Sequence, residues 1–216
     1  MGHIRPDEGI AMTTPSEEWD SSYRDHLPPW DIGRPQPAFV RLADSGLLAG
    51  RVLDAGCGTG EHALLAAAHG AEALGVDVSA LAIEKARGKA VERGLAARFE
   101  VADARHLGPL GETFDTVIDS GLFHVFDDAD RARYVTSLAA VIEPGRSYYM
   151  MCFSDRQPGV WGPRRVRREE ILLAFSDGWG VESITPDTFS VNPIEGTASV
   201  LAWLAVIGRR SLRPSP

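Results

Sequence analysis

The sequence contains few cysteines, fewer basic than acidic residues and no long apolar run. Its two cysteines, Cys57 and Cys152, are too few for a disulfide framework or a cysteine-based metal site. No stretch approaches the roughly 18 consecutive apolar residues that a membrane-spanning helix requires. A formal net charge of −8 disfavours binding to the phosphates of nucleic acids. We therefore expect a protein of the cytoplasm without a metal ion, a membrane or a nucleic acid among its partners.

One short run departs from this acidic character. The sequence RRVRR at 164–168 is followed directly by Glu169 and Glu170, which offset part of its charge. We interpret the run as the solvated start of a helix rather than as a contact for nucleic acid.

The length and composition are those of a single globular domain. With 216 residues, 44% of them hydrophobic, the chain can bury a substantial core. Residues 1–18 are polar and lack the apolar stretch of a secretory signal, so we expect a mobile leader. Residues 19–45 carry Trp19, Trp30 and several prolines, which disfavour regular helices. We expect an ordered lid there, with a short helix over 38–45, followed by the main domain at 46–210.

Short apolar runs alternate with helical stretches from residue 51 onward. Near-continuous apolar runs, typical of strands buried on both faces, occur at 51–56, 72–78, 97–103, 114–120 and 147–153. Helices are predicted between them at 61–69, 79–93 and 129–142. Ser79 is the expected N-cap of the second helix, and Gly94 its end. Alternation of this kind predicts a parallel sheet with right-handed crossovers, a doubly wound α/β fold.

The C-terminal part has a different pattern. The runs at 180–184, 188–192 and 199–208 have no helices between them, and a turn is expected at 193–196. Short connections cannot cross over between parallel strands, so we expect an antiparallel pair at the edge of the sheet.

The most specific motif is a glycine loop that follows the first predicted strand. It has the form D-x-G-x-G-x-G, with Asp54 ahead of Gly56, Gly58 and Gly60. Glycine permits the tight turn and lets a ligand approach the backbone. A dinucleotide site would have a third glycine where Glu61 stands, and the carboxylate of Glu61 would repel a pyrophosphate. The loop therefore favours a zwitterionic ligand with a cationic centre.

Further carboxylates follow the other predicted strands. Asp77 closes the second strand, Asp103 the third and Asp119 the fourth. In an open α/β sheet, ligands bind outside the carboxyl ends of the strands, at the point where the strand order reverses. We therefore expect these carboxylates and the glycine loop to border one crevice. Asp77 is placed to accept from the hydroxyls of a ribose, and Asp103 from the amino group of an adenine.

These residues resemble the motifs of class I S-adenosylmethionine (SAM)-dependent methyltransferases. The resemblance rests on 52–60, Asp77, Asp103 and Asp119, and the order of elements agrees over roughly 45–208. It implies a Rossmann-like sheet of seven strands, mostly parallel, with an antiparallel last strand. The segments PPWDIGRPQP (28–37) and DSGLFHVF (119–126) more narrowly resemble the thiopurine, thiol and halide methyltransferase group. They look closest to actinobacterial methyltransferases that detoxify heterocyclic compounds.

The resemblance implies the residues that hold SAM. They are Trp19, Trp30, Gly33, Asp54, Gly56, Gly58, Gly60, Asp77, Val78, Asp103, Ala104, Asp119 and Ser120. Asp103 and Ala104 would bind adenine, and Asp119 with Ser120 would lie near the methionine amino group. An indole face beside the sulfonium would be a favourable cation–π contact.

The acceptor side is predicted from the segment after the fourth strand. Methyl transfer from a sulfonium needs mainly alignment and a dry site, and a hydroxyl acceptor benefits from a general base. His124 is the candidate base, with simple packing as the alternative. Phe123, Phe126 and Trp161 are the candidate walls of an aromatic pocket, to which Met150, Met151 and Phe153 are possible additions.

The sequence thus predicts an enzyme that methylates an O, N or S atom of a small, aromatic heterocycle, for detoxification or secondary metabolism. Two other functions remain open at this point. One is a thiol or halide methyltransferase with a smaller acceptor, and the other is a SAM-binding regulatory domain without turnover. A nicotinamide oxidoreductase is disfavoured by Glu61. The expected partner is a small-molecule acceptor, and the expected assembly is a monomer or homodimer.

Overall fold

The computed structural model describes residues 15–24, 28–194 and 196–211. Strands and helices alternate along most of this range. The strands are β1 Arg51–Ala55, β2 Glu72–Asp77, β3 Arg98–Val101, β4 Phe114–Ser120, β5 Ile142–Phe153, β6 Trp179–Ile194 and β7 Thr197–Arg209. The helices are α1 Pro15–Arg24, α2 Pro37–Asp44, α3 Glu61–Ala68, α4 Ala80–Arg93, α5 Asp128–Val141 and α6 Arg168–Ala174.

The seven strands form one sheet in the order β3-β2-β1-β4-β5-β7-β6. All pairs from β3 to β5 are parallel, whereas β7 runs antiparallel to both β5 and β6. The predicted fold class and the antiparallel edge pair are therefore confirmed. The strand order reverses between β1 and β4, which is where such sheets bind their ligands.

The sheet carries a hydrophobic core on each face. Successive side chains of a strand point to opposite faces, so Val52 packs into one core and Leu53 into the other. The first core includes Phe39 of α2, and the second includes Tyr134 of α5 and Ile171 of α6. Burial on both faces explains why the strands are continuously apolar in the sequence. Among the described residues, no helix is long and apolar enough to cross a membrane.

The predicted ends of the second crossover helix agree with the structure. The hydroxyl of Ser79 accepts a hydrogen bond from the backbone N–H of Ala82 at 3.0 Å, as an N-cap does. Gly94 ends α4 in the left-handed conformation, with φ of 64°.

Three predicted boundaries differ from the structure. Residues 143–145, expected to break the chain after α5, lie inside β5, which starts at Ile142, but they are irregular: Gly145 has φ of 86°, and the register with β4 shifts between Ile142 and Ser147. The two expected strands at 180–184 and 188–192 are one bulged strand, β6. Helix α1 begins at Pro15, so the last residues of the predicted leader are helical, while 1–14 lie outside the described residues. Pairing with β7 carries β6 through Pro186, whereas α1 begins at a proline, which is well tolerated in the first turn of a helix.

Candidate active site

A cavity of about 850 Å³ opens at the carboxyl ends of β1, β2 and β4. It lies at the reversal point of the strand order, and the chain ahead of α2 covers it. Twelve of the predicted site residues line it: Trp19, Trp30, Gly56, Gly58, Asp77, Val78, Asp103, Ala104, Ser120, His124, Phe126 and Trp161. The sequence motifs therefore converge on one space.

The three motif glycines serve different purposes. Gly56 and Gly58 line the cavity and have φ of 70° and 52°, values that side chains rarely adopt. A Cβ on Gly58 would lie 2.9 Å from the Tyr23 hydroxyl, so the loop passes directly beneath the covering segment. Gly60 does not line the cavity, and a Cβ there would lie 2.6 Å from the ring of Phe99. Gly60 thus permits close packing of the loop against the sheet.

Asp77 lies at the end of β2, held by two backbone groups. One carboxylate oxygen accepts from Gly58 N at 2.8 Å and the other from Ser79 N at 2.9 Å. Burial raises the pKa of this carboxyl, and the two backbone N–H groups act in the opposite direction. Each carboxylate oxygen can accept more than one hydrogen bond. Asp77 can therefore receive both hydroxyls of a ribose while it fixes the glycine loop.

Two buried polar atoms beside the loop have no partner among the described residues. They are the Asp54 Oδ1 and the hydroxyl of Ser120. The other Asp54 oxygen accepts from Ala63 N at 3.0 Å, and burial raises the pKa of this carboxyl to about 8. Buried polar groups in native proteins are normally satisfied, so such atoms indicate a place for a polar ligand. The methionine part of SAM would supply such polar groups, and the site fits this cofactor.

Asp103 follows β3 and also lines the cavity. Its carboxylate caps the turn by accepting from Arg105 N at 2.9 Å, and it pairs with the Arg105 guanidinium at 2.8 Å. Burial acts to raise the pKa of Asp103, but the contacts with Arg105 outweigh it and lower that pKa. Arg105 also reaches Asp130 at 2.6 Å, which fixes this corner of the cavity.

The structure does not bring Asp119 to the cavity. This fully buried carboxylate accepts from Leu122 N at 2.7 Å and Phe123 N at 3.1 Å, and from the hydroxyls of Tyr134 at 3.1 Å and Tyr148 at 2.8 Å. Burial raises its pKa to about 6 despite these donors. The predicted contact with the methionine amino group therefore has no support here. Asp119 instead holds the turn that follows Ser120.

Two further predicted residues lie away from the cavity. Phe123 is fully buried beneath the guanidinium of Arg131, 4.5 Å from its ring centroid, and it packs against Phe175. Gly33 has φ of 66°, and its N–H donates to Asp31 Oδ1 at 3.2 Å. Phe123 is thus a core residue, and Gly33 shapes the covering segment.

The N-terminal cover, defined here as residues 15–24 and 28–36, is an aromatic cluster over the glycine loop. The rings of Trp19 and Trp30 meet edge to face with centroids 5.6 Å apart. The indole N–H of Trp30 donates to the Tyr23 hydroxyl at 3.0 Å. Asp20 accepts from the Ser79 hydroxyl at 2.6 Å, which ties α1 to the start of α4. The cover thus presents aromatic surface to the cavity directly above the loop.

The second half of the N-terminal cover is bonded to β6. The side chain of Asn192 donates to the carbonyls of Pro28 at 3.1 Å and Asp31 at 2.7 Å. The Gln36 amide donates to the carbonyl of Ser190 at 2.9 Å and accepts from its N–H at 2.8 Å. The antiparallel edge of the sheet therefore holds the cover in place.

A charged network joins the N-terminal cover to α4 through the glycine loop. The hydroxyl of Thr59 donates to Asp31 Oδ2 at 2.7 Å, and Lys89 Nζ donates to Thr59 Oγ1 at 2.6 Å. Lys89 also pairs with Glu61 at 2.7 Å, and Arg93 pairs with Glu61 at 2.8 Å. Burial acts to raise the pKa of Glu61, but these two cations lower it. The carboxylate of Glu61 is thus compensated by two cations, so it would repel a pyrophosphate less strongly than the sequence indicated.

The acceptor end of the cavity is aromatic. His124, Phe153, Phe189 and Trp161 line it together. The ring centroid of Phe153 lies 4.7 Å from that of His124, 5.7 Å from that of Phe189 and 6.3 Å from that of Trp161. We call this group of four residues the aromatic chamber. The two methionines at 150–151 are fully buried core residues outside the cavity lining.

His124 is oriented by the backbone of β5. The N–H of Phe153 donates to His124 Nδ1 at 2.9 Å, so Nδ1 must carry the lone pair and Nε2 the hydrogen. Burial lowers the pKa of His124 to about 3, and the nearby charges of Arg131 and Arg165 act in the same direction. A neutral ring of this tautomer has no free lone pair toward the cavity. The geometry therefore corrects the predicted base into a hydrogen-bond donor.

Several residues of the site were missed by the sequence reasoning. Asp31 lies in the segment PPWDIGRPQP (28–37), and Thr59 lies in the glycine loop. A polar side chain within each motif could have identified them as site residues from the sequence. Tyr23 lies only four residues from Trp19 and belongs to the same aromatic group. Phe189 had no such signal, because only the fold of the edge strand brings it to the cavity.

Comparisons with known proteins agree with this geometry. A family model described as a methyltransferase domain matches residues 52–145. The chain is 37% identical over 184 residues to a 2-heptyl-1-hydroxyquinolin-4(1H)-one methyltransferase of Mycobacteroides abscessus, covering 81% of each protein. It is 27% identical over 210 residues to thiocyanate methyltransferase 1 of Brassica oleracea, covering 93% of this chain and 92% of the relative.

A solved structure has the same architecture. It comes from work on the conversion of a disulfide bond into a thioacetal group during echinomycin biosynthesis. It superposes with a TM-score of 0.82 and 39% identity, covering 90% of this chain and 93% of that one. The resemblance inferred from the sequence is thus confirmed at the level of activity and cofactor. This chain is an enzyme that belongs to the SAM-dependent methyltransferase family.

Proposed function

We propose that the enzyme methylates an O, N or S atom of a small aromatic heterocycle. The aromatic chamber carries this proposal, because flat rings pack favourably against aromatic side chains. The cavity of about 850 Å³ lies in the upper part of the range for ligand pockets, roughly 300–1,000 Å³. It has room for a cofactor together with a bicyclic acceptor.

The relatives bear on the choice of acceptor. The Mycobacteroides relative is named for a hydroxyquinolinone, a bicyclic heterocycle. The Brassica relative is named for thiocyanate, a small anion, and it supports the alternative of a thiol or halide acceptor. The higher identity to the former and the aromatic chamber favour the heterocycle.

The chain's own residues bind, orient and exclude water in this proposal. Asp77 holds the ribose, Asp103 and the backbone of Ala104 hold the adenine, and the loop with Gly56 and Gly58 holds the methionine part. The bound cofactor supplies a methyl group already activated on a sulfonium. Because the donor is activated, the protein contributes mainly alignment and desolvation.

The N-terminal cover completes the site in this proposal. The indole rings of Trp19 and Trp30 line the cavity above the glycine loop, where a sulfonium would gain a cation–π contact. The hydrogen bonds from Asn192 keep the cover closed while the acceptor occupies the aromatic chamber. Water is thereby kept from the reacting atoms.

Mass spectrometry of an acceptor panel tests the proposal. Hydroxyquinolines, phenols, aromatic thiols and thiocyanate are each incubated with enzyme and SAM, and a mass increase of about 14 daltons reports methylation. We expect the hydroxyquinolines to have the highest kcat/KM. Phe189→Trp, which narrows the aromatic chamber, should lower turnover of bicyclic acceptors far more than turnover of thiocyanate. Preferential methylation of thiocyanate, unaffected by Phe189→Trp, would establish the small-acceptor alternative instead.

We also propose the cellular setting. Cys57 and Cys152 are both free and buried, which suits the reducing cytoplasm. The enzyme would act there as a monomer or homodimer in detoxification or secondary metabolism. Light scattering coupled to gel filtration gives the oligomeric state.

A further inference from the structure

His124 can offer the acceptor only a hydrogen-bond donor. It lines the cavity, and its Nδ1 is occupied by the Phe153 N–H, whereas Nε2 has no hydrogen-bond partner among the described residues. Moving the proton to Nδ1 would place two donors against each other, which costs a buried hydrogen bond. The fixed tautomer therefore points a positive dipole at whatever atom occupies the aromatic chamber.

The basic run RRVRR at 164–168 supplies a positive charge behind the rings of the aromatic chamber. Arg165 is not a solvated helix residue. Its guanidinium lies 5.4 Å from the ring centroid of Phe153 and 5.6 Å from that of Trp161, and it donates to the carbonyls of Trp161 and Pro163, both at 2.8 Å. Arg165 thereby holds the loop that carries Trp161 against the aromatic chamber, and its guanidinium places a positive charge beside these rings.

The charged groups around His124 are predominantly cationic. Arg131 on α5 and Arg165 on the loop after β5 both act on its ring. The strands β5 and β6 contribute Phe153 and Phe189, which are uncharged. Two acids lie on the neighbouring elements. The carboxylate of Asp119 on β4 already accepts four hydrogen bonds. Glu170 on α6 pairs with Arg131 at 3.1 Å, which leaves Arg165 as the uncompensated cation among the described residues. The electrostatics of this end therefore favour a negative ligand atom.

We infer that the acceptor is bound as an anion, an ionised hydroxyl or thiol on an aromatic heterocycle, with its charged atom hydrogen-bonded to His124 Nε2. The inference rests on the proposed function and narrows its substrate class to acidic acceptors. The acceptor loses its proton to solvent before or during binding. Its lone pair then forms the new bond to the methyl carbon while the carbon–sulfur bond of the sulfonium breaks, and that electron pair stays on sulfur. No protein base takes part.

Spectrophotometric titration of a bound probe tests this inference without turnover. The probe is a nitro-substituted hydroxyquinoline, whose ionised form absorbs at longer wavelength, added to enzyme saturated with S-adenosylhomocysteine. We expect the apparent pKa of the bound hydroxyl to lie about one unit or more below its value in water. A bound hydroxyl with a pKa equal to or above that of the free probe would overturn the inference.

Two substitutions distinguish a donor from a base. Gln keeps an N–H near the position of Nε2, so His124→Gln should retain most of the pKa shift and lose less than about tenfold in kcat/KM. His124→Phe keeps the ring without the donor and should abolish most of the shift, with a loss of roughly 10²-fold. Equal, large losses in both variants, with unchanged S-adenosylhomocysteine affinity, would mean that His124 is a base.

The kinetic profile completes the test. Across hydroxyquinolines of similar shape but different acidity, the rising limb of kcat/KM against pH should follow the pKa of each acceptor. A limb that stays at one pH for all acceptors would assign the titration to the protein and refute the inference. Absence of methylated product from every heterocycle, with S-adenosylhomocysteine still bound, would instead refute the proposed function.

Discussion

Replacement of Asp77 gives the most direct test of the cofactor site. The carboxylate accepts from Gly58 N and Ser79 N and leaves lone pairs toward the cavity. Asp77→Ala removes both charge-assisted hydrogen bonds to a ribose, at a cost of about 2–4 kcal/mol. This corresponds to SAM affinity about 30- to 1,000-fold weaker. Asp77→Asn keeps one carbonyl oxygen and should give an intermediate loss.

Calorimetric titration of SAM and S-adenosylhomocysteine measures this loss. Asp177→Ala is the matched control, because Asp177 is exposed between α6 and β6, outside the residues that line the cavity. All three variants should unfold cooperatively, which thermal denaturation checks. Unchanged affinity in a folded Asp77→Ala protein would remove Asp77 from the cofactor site and refute the reasoning from strand-end position.

Four further outcomes are expected. SAM should raise the melting temperature and NADH should not; a shift with NADH alone would contradict the assignment. SAM should quench tryptophan fluorescence, and Trp30→Ala should lose most of that change unless the indole lies away from the cofactor. Asn192→Ala should raise KM for both substrates at least several-fold by loosening the N-terminal cover; unchanged KM would show that the cover is held otherwise. Between pH 6.5 and about 3 the unfolded chain binds a proton that folded His124 excludes, so the free energy of unfolding falls as the pH falls. In urea unfolding, the wild type should lose roughly 2 kcal/mol more than His124→Gln between pH 7 and pH 5. Equal losses in the two proteins would contradict the lowered pKa of His124.

The fold followed from local patterns. Continuous apolar runs predicted the strands because each is covered on both faces, as the opposite burial of Val52 and Leu53 shows. The antiparallel edge followed from the absence of helices after residue 180. The bounds of β6 could not be predicted, because pairing with β7 keeps residues such as Pro186 in the strand where a proline would otherwise interrupt it. The start of β5 depends on the pairing of Ile142 with Phe114 of β4, ahead of an irregular stretch at 143–146.

Part of the candidate site could also be predicted from the sequence, and part could not. The glycine loop and Asp77 were predictable, because a strand end in a parallel sheet fixes where such residues lie. Asp119 also follows a strand, but its carboxylate turns toward the hydroxyls of Tyr134 and Tyr148, which lie on other elements. Sequence position gives the place of a residue along a strand and leaves the direction of its side chain open.

The sequence by itself determined the fold class, the cofactor and the edge of the sheet at which the cofactor site lies. The fold class and the position of the site depend on periodicity and on spacing within one segment, and the cofactor follows from the resemblance of the glycine loop and the strand-end acids to a known family. The tertiary structure alone decided the protonation of His124, the compensation of Glu61 and the inward position of Arg165. The first two depend on partners more than twenty residues away, and the third depends on the loop that folds Arg165 against the rings of Phe153 and Trp161. Desolvation and neighbouring groups, rather than residue type alone, set how a titratable side chain behaves.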